Sequence, residues 1–217
     1  MIYIYLKNKK RGAILPNFTK VKNYACDILL SQGDNLSVPI KLETLDVGKT
    51  IIYDTMQNYA KLTSGDINTL TCNGKLKNGY HLNFNGFSLV LSNEEHCNYR
   101  QTWTKAHELG HIILGHTKDE NKEEVEAHFF AAQLLMPDAL IRYLIENGIK
   151  INISTLKYFF GVSDEAAAKK ISTLRKCALL HSHDNDIIRL FSSQLDRLIY
   201  DLNSYNYNYE FAKELCF

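Results

Sequence analysis

The chain has 217 residues, of which 45% are hydrophobic and 23% charged, and its formal net charge is +1. That is an ordinary globular composition with ample apolar material for a core. It exerts no global pull toward nucleic acid or an anionic membrane, and no run approaches the roughly 18 apolar residues of a membrane span.

The chain opens on "MIYIYLKNKK", a short apolar start followed by charge, the reverse of a signal peptide's order. Lys7, Lys9, Lys10, Arg11 and Lys20 make residues 1–20 a basic, solvated N-terminal segment. In "VKNYACDILLSQGDN", Val21, Ala25, Ile28 and Leu29 share a helical face and Gly33 stops the helix. A short helix, a glycine turn at Gly48 and a small strand over Thr50 to Tyr53 follow. Tyr80, Leu82 and Phe84 alternate before Asn85-Gly86, and Phe87, Leu89 and Leu91 alternate after it. That pattern predicts a hairpin closed by a type I′ turn.

Helices dominate the remainder. One covers Tyr99 to Leu114 and ends at Gly115. The next starts at Asn121, with Glu124 in capping-box spacing, and stops before Pro137. Ala139 to Glu146, Ser154 to Phe160, Asp164 to Cys177 and Ile187 to Leu202 complete the set, and a soft boundary lies near Gly148 to Ile151. The five cysteines (Cys26, Cys72, Cys97, Cys177 and Cys216) are scattered with no C-x-x-C. They form neither a disulfide framework nor a cysteine metal site, and they suit a reducing cytosol. The expected fold class is α+β, mostly helical with a small antiparallel sheet, in a cytoplasmic protein.

The chemistry is concentrated in "WTKAHELGHIILGH", Trp103 to His116. His107 and His111 are four apart, so a helix stacks them on one face, where two imidazoles can hold one Zn²⁺. Glu108 lies too far round the helix to be a ligand beside His107, but it would sit next to a metal-associated water as general base. The bland alternative is a helix with two satisfied histidines and a surface glutamate. The apolar neighbours Ala106, Leu109, Ile112, Ile113 and Leu114 weigh against it, because ionisable groups buried there need a partner.

A catalytic zinc takes three protein ligands and leaves one position open. With the two helices antiparallel about the turn after Gly115, His111 and Glu126 both stand roughly 6–7.5 Å from the turn. Glu126 also begins the apolar stretch "AHFFAAQLLM". It is therefore the expected third ligand, while Glu123 and Glu124 fall in the first turn, where acids favour the helix dipole. His116 and His128 receive no assigned role.

The stretches "RQTWTKAHELGHIILGH" and "EEVEAHFFAAQLLMP" resemble the ImmA/IrrE-type zinc metallopeptidases over Arg100 to Pro137. The resemblance implies a zincin-like peptidase domain over residues 21–150 and a zinc cofactor. It implies His107, His111 and Glu126 as ligands and Glu108 as general base. His128 departs from the Asn or Asp usual in the family. "ISTLKYFFGVSDEAAAKKISTLRK" is similar to the family's helix-turn-helix-like segment, within a helical region over 151–217. From Lys150 onward nine Lys/Arg stand against eight Asp/Glu, a net of +1, which is weak for a phosphate-reading surface. Protein docking or packing is therefore favoured over DNA binding. The resemblance further implies an endopeptidase that cuts a cognate helix-turn-helix repressor, often encoded beside it on a mobile element. A DNA-binding regulator with a structural zinc is the alternative.

Overall fold

The computed structural model describes residues 15–72, 75–117, 120–174 and 182–215. Most of the basic N-terminal segment and the expected helix end at Cys177 lie outside them. Helix α1 (Phe18–Ser31) is capped by Asn17, whose side chain accepts from Lys20 N, and buries Val21, Ala25, Ile28 and Leu29. Strand β1 (Thr50–Thr55) and helix α2 (Met56–Thr63) follow, the latter capped by Thr55. The short strands β2 (Thr71–Cys72) and β3 (Lys75–Leu76) pair with each other. β4 (Gly79–Asn83) and β5 (Phe87–Ser92) form the expected hairpin.

Two details of the sheet differ from expectation. It is mixed: β1 pairs with β5 in parallel and β4 with β5 antiparallel, in the order β1-β5-β4. The hairpin turn is not type I′ either. Gly86 has φ +98, and Ser64 is the only described non-glycine with positive φ, so Asn85 stays in the ordinary region. That is the pattern of a type II turn, which needs the left-handed region only at its third residue.

Helix α3 (Asn98–Leu114) ends at Gly115, whose φ of +70 suits glycine. The chain then enters α4 (Asn121–Leu135), α5 (Asp138–Glu146), α6 (Ile153–Phe160), α7 (Asp164–Leu174) and α8 (Asp184–Leu215). This architecture is α+β and mostly helical. One apolar core runs from Val21 and Leu29 on α1 through Leu109 on α3 and Phe130 and Leu134 on α4. It continues to Leu140, Phe159, Ala167, Ile187, Phe191 and Leu195 on the later helices. The helices beyond residue 150 thus share the core of those before it. A smaller cluster of Met56, Leu89 and Leu91 packs α2 on one face of the sheet. Strand alternation turns His81 and Val90, which are cross-strand partners, to the opposite face, where α3 lies.

A buried ionic network ties these helices together. Lys170 Nζ lies 2.7 Å from Asp138 Oδ1, Lys22 Nζ 3.2 Å from Asp184 Oδ1, and Arg142 Nη2 3.0 Å from Asp184 Oδ2. Gln133 Nε2 donates to Asp138 Oδ2 at 2.8 Å. No described helix is long and apolar enough to cross a membrane.

Candidate metal centre

Helix α3 carries His107, Glu108 and His111 toward a cleft of about 790 Å³ and turns Ala106 and Leu109 into the core. Its start is fastened to the hairpin. Gln101 Nε2 donates to His96 O at 2.7 Å, and Arg100 Nη2 donates to Asn78 Oδ1 at 2.8 Å, just ahead of β4. The Arg-Gln pair before the histidine run therefore positions helix against strand. At the other side α4 approaches closely: a Cβ on Gly110 would stand 3.0 Å from Phe130 Cδ1 and 3.3 Å from the Ala127 backbone. A side chain at this position would press on α4, so glycine lets the two helices pass at this distance without displacement.

That approach sets the residue of α4 that faces the histidines. His107 Nε2 and His111 Nε2 are 3.2 Å apart. Glu124 Oε2 lies 3.4 Å from His107 Nε2, and Glu124 Oε1 lies 3.2 Å from His111 Nε2. Hydrogen bonds from the two imidazoles hold the Glu124 carboxyl well below the usual carboxylate range. Glu126, the residue selected by counting helix levels, points elsewhere. Its Oε2 is 3.2 Å from His116 Nε2, its Oε1 accepts from Asn17 N at 2.7 Å, and Lys122 Nζ is 3.8 Å away. Helix α4 begins at Asn121, as expected, and a count of levels from the turn does not by itself fix which side of the helix faces α3. Glu120 is the N-cap, Asn121 is already helical, and the Glu124 amide donates to Glu120 O at 3.0 Å.

The donors fit a small divalent metal. Bonds of 2.0–2.1 Å in a tetrahedral arrangement set donors about 3.3–3.4 Å apart, and the three separations are 3.2–3.4 Å. His128 also approaches. One donor atom each from His107, Glu124 and His128 lie within 4.8 Å of one another, so His128 stands beside the same cluster. The His128 ring packs 4.4 Å from that of His107. Burial, reinforced by the His107 charge, pushes its pKa down to about 4, so it is neutral at pH 7. His111 is the better third member of the set.

Glu108 has a partner that the sequence reading did not find. His81, on β4, lies with Nδ1 2.8 Å from Glu108 Oε2, and its ring stacks on that of His111 at 5.6 Å and 18°. The strand gets this close because of Gly79: a Cβ there would meet Thr104 Cγ2 at 2.3 Å and the Glu108 side chain at 3.1 Å. The signal was present as a glycine two positions before a histidine, both on the same face of a strand.

Histidines one helical turn apart, opposed by a carboxylate from the next helix and followed at once by a second carboxylate, give the chain a metallopeptidase-type site. In agreement, the sequence matches the peptidase M78 family model, described as the IrrE N-terminal-like domain, over residues 63–172, just over half of its length. The chain belongs to that family. The match runs across residue 150, as the shared core does. No curated protein matches the sequence.

Proposed function

We propose that the chain is a zinc-dependent endopeptidase that cuts a cognate helix-turn-helix repressor at one exposed site and so releases gene expression in the cytoplasm. The observation that carries the metal-hydrolase reading is the 3.2–3.4 Å mutual spacing of the His107, His111 and Glu124 donors. Two imidazoles and a carboxylate are a donor set suited to catalytic zinc with a fourth position open. In this reading His107, His111 and Glu124 are the ligands. When bound, zinc supplies Lewis acidity toward the scissile carbonyl and the attacking water.

The chain's own residues do the rest. Glu108 takes a proton from the attacking water and returns it to the leaving amine. As a carboxylate Glu108 can only accept, so His81 Nδ1 donates to it and aims it along the cleft. β4 is an edge of its sheet among the described residues. An extended substrate segment can add to that edge as a strand and lie across His81 and Glu108. A linker in a repressor takes up that form at little cost, whereas a folded bystander does not. That the substrate is a repressor rests on the family resemblance. α7 buries Ala166, Ala167 and Lys170 in the shared interior, which supports a packing role for the helix pair over DNA reading.

The test is incubation of the zinc-loaded protein and its Glu108→Gln variant with the neighbouring repressor and with unfolded casein. Wild type should cut the repressor once and spare casein. Glu108→Gln should keep its zinc and cut at least about 10²-fold more slowly. Wild-type cleavage by Glu108→Gln removes Glu108 as base; rapid casein degradation with the repressor intact removes the substrate assignment.

A further inference from the structure

Glu126 is buried, 6% exposed, and stands two residues from the carboxylate that meets the histidines. A buried carboxylate needs compensation, and the partners it has draw it into the metal centre by an indirect route. Its Oε2 lies 3.2 Å from His116 Nε2, and His116 Nδ1 lies 3.1 Å from His111 Nδ1. The nitrogen of His111 that faces His107 and Glu124 is the other one, Nε2.

We propose that His116 and Glu126 form an outer hydrogen-bond chain that fixes the ring orientation and tautomer of His111 for metal binding, making both of them positioning residues. The inference rests on the ligand set proposed above. Coordination through Nε2 leaves His111 with its proton on Nδ1. That N–H meets an acceptor in His116 Nδ1, which leaves His116 with its proton on Nε2, where it donates to Glu126 Oε2. Each bond in the chain has one donor and one acceptor, and reversing any of them would place a proton on the coordinating nitrogen. Outer partners of this kind orient a ligand ring and raise its basicity.

The backbone is arranged for the pairing. In a continuing helix, residue 116 would stand about 140° round the axis from residue 111. Instead Gly115 takes the left-handed region at φ +70, and His116 N donates to His111 O at 3.0 Å. The turn folds the His116 ring back beneath that of His111, with centroids 5.0 Å apart. Glu126 is held from a third side, since Asn17 N, at the cap of α1, donates to its Oε1 at 2.7 Å. The chain thus runs from the start of α1 to the metal ligand.

Zinc affinity, measured by competition with a chromophoric chelator, tests this on wild type, His116→Leu, His116→Gln and Glu126→Ala, alongside thermal unfolding of the metal-free forms. His116→Leu and Glu126→Ala should bind zinc about 10- to 100-fold more weakly. His116→Gln should stay near wild type, because an amide accepts with its oxygen and donates with its nitrogen as the neutral imidazole does. A packing role alone would lower the unfolding midpoint of the metal-free variants and leave zinc affinity of the folded protein unchanged. Wild-type affinity in both His116→Leu and Glu126→Ala overturns the chain and leaves the ligand set standing. A wild-type protein that binds no zinc overturns both. Should His116→Leu fail to fold, Glu126→Ala decides the matter on the same criterion.

Discussion

His81 on β4 and Glu108 on α3 meet at 2.8 Å, Nδ1 to Oε2, across the floor of the cleft. The strand brings a donor to the carboxylate that the helix alone would leave to solvent. His81→Phe keeps a ring stacked on His111 and removes the N–H. Turnover should fall about 10²-fold, as for a misplaced catalytic group, with zinc affinity unchanged. Steady-state kinetics beside chelator competition checks this, and an unchanged kcat would mean that Glu108 needs no orienting partner.

The spacing of α3 and α4 at Gly110 should govern metal binding from a distance. Glu124 lies three residues before Ala127, whose backbone is 3.3 Å from where a Gly110 Cβ would stand. Gly110→Val should cost about 1–3 kcal/mol by overpacking and lower zinc affinity by moving Glu124 away from the histidines. Urea unfolding of the metal-free protein and zinc competition measure the two effects separately. Wild-type zinc affinity in this variant would show that the helix contact does not place Glu124.

Acid stability should depend on Asp138. Burial opposes its ionisation, but the charge and hydrogen bond of Lys170, with Gln133 and Lys22, outweigh burial and hold the carboxyl below its ordinary value. A depressed carboxylate contributes stability that is present above its unfolded pKa, about 3.9, and lost as pH falls through the folded value. Wild-type unfolding midpoints should therefore fall steeply below about pH 4. Asp138→Asn should flatten that slope and cost about 3–5 kcal/mol at pH 7, because Lys170 is left buried without its anion. Urea midpoints measured across pH decide it; a variant with an unchanged slope would contradict the assignment.

Much of the frame was legible because it depends on local chemistry. Gly115 marked the end of α3, Asn85-Gly86 marked the hairpin, and i, i+4 spacing placed His107 beside His111. What was missed depends on contacts distant in sequence. The parallel pairing of β1 with β5 joins strands with α2 between them, and no local pattern announces a parallel partner. Alternation along β4 separated His81 from Tyr80 and Leu82 but did not say which face meets α3. Glu124 shows a sharper ambiguity. A glutamate three residues after an asparagine reads as a capping box, whereas in α4 Glu120 is the N-cap and the same glutamate faces the histidines. The side of α4 that faces α3 goes with the close approach of the two helices at Gly110, a contact that no local pattern announces.

The metal centre depends on which carboxylate of α4 is the third ligand. Zinc content after dialysis against low-micromolar zinc, measured on wild type, Glu124→Ala and Glu126→Ala, tests it directly. Wild type should hold about one zinc per chain, Glu124→Ala should lose nearly all of it, and Glu126→Ala should keep it with weakened affinity. Full zinc in Glu124→Ala with an empty site in Glu126→Ala would contradict the assignment of Glu124.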